Sequence, residues 1–156
     1  MDKKPIHRTL ILGIGNLLLS DDGVGIHAVR LLQEKVNLDK AVQVVDGGTC
    51  GLDLMQYLEG VDRLIILDAA KPDHSPGKIT RITGEKVPAY LSIKTSPHEI
   101  GLPELLFAAK LTDIYPREVV ILCVEAASLE SGVTLTPSIE ERLPELIQQV
   151  HEEIGL

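Results

Sequence analysis

Apolar residues along this chain fall into two recurring patterns. Short continuous runs occur at Thr9 to Ile14, Val42 to Val45, Leu64 to Leu67 and Val119 to Val124. They are too short for most helices and lack polar alternation, which predicts strands covered on both faces, as in a parallel sheet. A fifth stretch, Lys78 to Thr83, is polar over much of its length and predicts an edge strand. Between the runs the spacing becomes helical. Ala28, Val29, Leu32 and Val36 share a face after Asp22, and Leu52 to Leu58 and Pro103 to Leu111 predict two further helices. The last helix has the clearest stripe: Ile139, Leu143, Leu146, Ile147, Val150 and Ile154. Thr136-Pro137 marks its start, Glu140 and Glu141 suit its first turn, and Pro144 is placed to kink it. Strands alternating with helices predict right-handed crossovers and a three-layer α/β/α sandwich on a twisted, mostly parallel five-stranded sheet. Residues 1–156 read as one domain, with no repeat or linker.

Composition narrows the function. The chain has 156 residues, of which 44% are hydrophobic and only 3% aromatic, so its core is aliphatic. A net charge of −8 with scattered Lys and Arg argues against a phosphate-backbone partner and disfavours anionic membranes. The polar stretch from Met1 to Arg8 does not read as a signal peptide, and no apolar run reaches membrane-spanning length. The expected location is the cytoplasm. Cys50 and Cys123 form no disulfide framework, and Cys123 reads as a buried small hydrophobe.

In open α/β sheets the functional rim lies beyond the carboxyl ends of the strands. There the sequence offers Gly13-Ile14-Gly15-Asn16 and Asp21-Asp22-Gly23 after the first strand. The second ends at Asp46-Gly47-Gly48-Thr49, and the third at Asp68. Any one Asp is equally well a turn or cap residue. Carboxylates converging from successive connections, however, repel unless protonated, solvated or bridged by a cation. The segment Thr95 to Gly101 adds His98, where Ser96, Pro97 and Glu99 suit a capped helical turn. A lone His is more often structural than a ligand. Opposite carboxylates, a neutral imidazole completes a nitrogen and oxygen donor set suited to nickel or zinc. Sharper motifs are missing. Leu18 stands where a dinucleotide fingerprint needs its third glycine, and Leu102 where a zincin helix needs its second His. There is no Walker A loop or nucleophile elbow, and nothing specifies a base for Cys50.

Five stretches in order, GIGNLLLSDDGVG at 13–25, DGGTCG at 46–51, LIILDA at 64–69, SPHEIGL at 96–102 and SLESGVTLTPSI at 128–139, resemble the hydrogenase maturation protease family. The resemblance implies a five-stranded α/β fold. It also implies an endopeptidase that removes the C-terminal extension from the nickel-loaded precursor of a NiFe-hydrogenase large subunit. The family's metal-binding acid, Asp and His match Asp22, Asp68 and His98, expected here as both metal ligands and catalytic residues. The first of these is Glu in some members, so Asp22 reaches one methylene less far. The DGGT loop implies substrate binding by Asp46, Gly47, Gly48 and Thr49, and Asn16 matches an Asn in the first loop and is expected to buttress the ligand-bearing turn. Nickel is expected to arrive with the substrate, with zinc or cadmium as substitutes. The metal would polarise the scissile carbonyl or activate water, or a carboxylate would act as general base in aspartic-type hydrolysis. A monomer is expected, with no nucleic-acid or membrane partner. The alternative reading is a non-catalytic nickel-binding maturation chaperone on the same fold. A flavodoxin-like nucleotide domain is disfavoured by Leu18 and the few aromatics.

Overall fold

The computed structural model describes residues 8–35, 40–49, 51–93 and 101–155. His98, Cys50, Val36 and the Ser96 to Glu99 turn lie outside them. The strands are β1 (Thr9–Ile14), β2 (Val42–Gly48), β3 (Arg63–Ala70), β4 (Ile79–Thr83) and β5 (Glu118–Glu125). They form one sheet in the order β2-β1-β3-β5-β4, parallel except that β4 runs antiparallel to β5. The helices are α1 (Val24–Gln33), α2 (Met55–Leu58), α3 (Lys86–Ile93), α4 (Leu102–Leu111), α5 (Pro137–Glu140) and α6 (Leu143–Glu153). Short 3-10 turns at Ser20–Gly23 and Leu52–Leu54 lead into α1 and α2.

Strand pleating divides the core, because successive side chains point to opposite faces. Ile11, Ile65, Leu67, Val120, Leu122 and Val124 face one way and pack with residues of α1, α5 and α6. Leu10, Leu12, Leu64, Ile66, Ile121 and Cys123 face the other, against α2, α3 and α4. The two aliphatic layers bear out the predicted sandwich. Among the described residues no helix is long and apolar enough to cross a membrane.

Several expectations are corrected. β2 is an edge strand, only partly buried, and continues through Gly48, so Asp46 and both glycines belong to it rather than follow it. β3 likewise runs past Asp68 to Ala70, because β5 pairs with it that far. The final stripe is shared by two helices. Its apolar positions all join the same core layer, but the chain breaks after Glu140, and Pro144 sits in the first turn of α6, where a missing N–H costs nothing. α3 was not expected at all.

At the amino end of the sheet an ion cluster ties α6 to the strands. The Glu153 carboxylate, 10% exposed, accepts from Arg63 on β3 and Arg81 on β4, and the Arg63 Nε lies 3.2 Å from Glu118. Burial raises the Glu153 pKa, but hydrogen bonds and charge from Arg81 and Arg63 outweigh it and hold the carboxyl below its ordinary value. A depressed carboxylate stabilises the fold above its unfolded value near 4.5 and loses that contribution as the pH falls through the folded value. Glu153→Gln is expected to cost about 1–3 kcal/mol at neutral pH. The gap from the unaltered chain should narrow in denaturant titrations repeated at acid pH; a gap that stays constant or widens would contradict this.

Candidate active site

Two glycines let the site form. A Cβ at Gly25 would lie 2.1 Å from the Leu67 carbonyl oxygen, so only glycine allows the start of α1 to rest on the β3 backbone. Gly15 has φ +143°, and a Cβ there would meet the Asp22 carbonyl oxygen at 1.9 Å. The loop between β1 and α1 is thereby folded tightly over the carboxyl end of the sheet. The Asn16 side chain shapes it by accepting from the Leu18 N–H at 2.9 Å, while the Asn16 backbone N–H donates to Asp22 Oδ2 at 2.8 Å.

The adjacent acids of that loop do different work. Asp21 is fully buried and accepts at 2.8–3.0 Å from the N–H groups of Ala127, Ser128 and Thr136 and from the Thr136 hydroxyl. Backbone bonds extend this clasp: Ser20 N–H to the Gly132 carbonyl, Gly132 N–H to the Leu18 carbonyl, and Asp21 N–H to the Ser128 carbonyl. Ser20, with φ 52°, is held in the left-handed region and bonds the Glu130 carbonyl through its hydroxyl. The Thr136 hydroxyl is thus turned to Asp21 and does not cap α5.

Asp22, 7% exposed, and Asp68, 2% exposed, are with Asp21 the buried acids among the described residues. By pleat parity Asp68 shares the face of Leu64, Ile66 and its β5 neighbour Cys123. There it meets α3: the Tyr90 hydroxyl donates to Asp68 Oδ2 at 2.8 Å, while the Ala69 N–H donates to Oδ1 at 2.8 Å. Burial, then the Asp68 charge, and more weakly Cys123 and Asp22, push the Tyr90 pKa up. The phenol therefore stays a donor, and its ring lies within electrostatic reach of both carboxylates.

Two buried carboxylates within electrostatic reach of one tyrosine offer oxygen ligands suited to a divalent cation. Among the described residues no three His, Cys, Asp or Glu side chains gather around one point; the third expected ligand, His98, lies outside them. His27 on α1 does not take its place. Its Nε2 is buried without a partner, burial and then Arg30 lower its pKa, and its other charged neighbour is Glu140, on the opposite face of the sheet from Tyr90.

The remaining expected residues stand apart from this pair. Asp46, on edge strand β2, accepts from the Gly48 N–H at 3.0 Å and faces the Arg30 Nε at 3.4 Å. Gly47 is buried, Gly48 has φ 53°, and Thr49 is exposed. Tyr90 and the clasp role of Asp21 were missed. The aromatic sits on the unexpected helix, and the first of two consecutive acids carries no mark in the sequence.

A family model for hydrogenase maturation proteases matches residues 26–153. The hydrogenase 2 maturation protease of Escherichia coli is 36% identical over 144 residues, covering 92% of this chain and 88% of that protein. The hydrogenase expression/formation protein HupM of Azotobacter chroococcum is 39% identical, over 86% of this chain and 65% of its own length. Among solved structures, the E. coli hydrogenase maturating endopeptidase HybD superposes with a TM-score of 0.87 at 35% identity, covering 95% of this chain and 92% of its own. The Thermococcus kodakarensis maturation protease HybD gives 0.76 at 27%, covering 93% and 97%. These matches, spanning nearly all of the chain, place its five-stranded sandwich in the peptidase class. The chain belongs to the hydrogenase maturation protease family.

Proposed function

We propose that this endopeptidase removes the C-terminal extension from the nickel-loaded precursor of a NiFe-hydrogenase large subunit, and that it recognises the nickel held in that precursor. Supporting this most directly is the pair Asp22 and Asp68: both are buried, and both lie within electrostatic reach of Tyr90. With His98 they would hold the nickel as part of the substrate, with zinc or cadmium as substitutes. A metal bound there would supply Lewis acidity toward a carbonyl or water. The chain's own contribution is positional. Asn16 N–H bonds Asp22, and the Tyr90 hydroxyl and Ala69 N–H bond Asp68; either carboxylate would also serve as general base in this reading. Asp46, Gly47, Gly48 and Thr49 on the neighbouring edge would meet the substrate backbone. The net charge of −8 supports a reading with no nucleic-acid partner, and a cytoplasmic monomer with no membrane partner belongs to the same proposal.

The test is to incubate the protein with nickel-loaded and nickel-free precursor and to weigh the products. Only the loaded precursor is expected to lose its tail. Equal trimming of both would end the case for recognition by coordination. An intact tail in both would favour the chaperone role.

A further inference from the structure

We propose that Tyr90 is the positioning residue for Asp68: its hydroxyl sets the carboxylate in the orientation that meets the substrate's metal. The inference rests on the reading of Asp68 as a metal ligand. The Asp68 side chain is 2% exposed, so solvent does little to orient it. Its two oxygens are instead claimed from two directions, Oδ1 by the Ala69 N–H and Oδ2 by the Tyr90 hydroxyl, each at 2.8 Å. The first bond is fixed by the strand itself. The second comes from a different element, and without it rotation about the last side-chain bond has one restraint fewer. Tyr90 is in turn held by the packing of its ring in the core layer that contains Val87, Leu105 and Cys123. Partners of this kind, one shell out from a ligand, govern affinity without touching the metal.

Tyr90→Phe removes the hydroxyl and keeps the ring, so the helix should stay in place. The isolated full-length chain, its Tyr90→Phe variant and its Asp68→Asn variant would each be titrated with Zn2+ alone against a chromophoric chelator. Melting temperatures would be recorded without metal. Tyr90→Phe is expected to bind Zn2+ about 10–100-fold more weakly while Asp68→Asn loses most binding. A merely structural role would lower the melting temperature and leave the affinity alone. If Asp68→Asn loses binding but Tyr90→Phe matches the unaltered chain, Tyr90 has no positioning role and the metal reading stands. If the unaltered chain does not bind Zn2+, or Asp68→Asn binds equally well, the metal reading falls and this inference with it.

Discussion

Asp68→Asn is expected to reduce processing of a nickel-loaded precursor by at least about 100-fold while the protein remains folded. Altering a residue one shell away from a metal ligand typically costs 10–100-fold, so losing the ligand itself should cost no less. Asparagine matches the carboxylate in shape: its oxygen can accept from the Ala69 N–H while its amide donates to the Tyr90 oxygen, which now stands 2.8 Å from Oδ2. What it lacks is the charge. The melting temperature should therefore change little, since the volume of the side chain and its bonds to Ala69 and Tyr90 can be kept. His98→Ala is expected to give the same loss of processing with the same retention of fold. Mass measurement of the large subunit, with circular dichroism of the variants, decides both. Full trimming by either variant would remove that residue from the mechanism.

Asp21→Ala should behave in the opposite way, with its main effect on stability. The substitution strips the clasp of its acceptor and leaves the N–H groups of Ala127, Ser128 and Thr136 and the Thr136 hydroxyl without their partner. Each unsatisfied buried donor costs about 1–3 kcal/mol, and some of these would find water, so a loss of ~3–5 kcal/mol is expected. For a domain of this size that corresponds to a fall of roughly 6–20 °C in Tm. Processing should weaken as well, because the clasp anchors the turn that carries Asp22. Thermal melts of the two proteins check the first effect. A change of less than about 1 kcal/mol would mean that the loops hold together without the carboxylate.

The contrast between these neighbours shows what the sequence could convey. β1, β3 and β5 were legible because central strands buried on both faces have no polar positions to confuse the pattern. The end of β2 was not, since Asp46-Gly47-Gly48 has the composition of a turn, and only pairing with β1 keeps it extended. α3 was hidden because its apolar residues form no clear stripe and Pro88 lies in its first turn. That concealed Tyr90 with it. The break between α5 and α6 left the apolar stripe intact, so periodicity ran straight through it. Asp21 and Asp22 are chemically identical in sequence. Their roles diverge because one faces three backbone N–H groups of another loop and the other faces the rim.

The reversed strand β4 also has a consequence for the helix that follows it. β4 begins opposite Val124 and ends opposite Val120, so it descends while its neighbour β5 ascends. α3 then climbs back far enough for Tyr90 to touch Asp68. Two changes of heading cancel, and Tyr90 lies on the same side of the molecule as the buried acids. Had β4 run with its neighbours, the same helix would have travelled downward from the top, and its last turn would have ended beside the Arg63–Glu153 cluster instead.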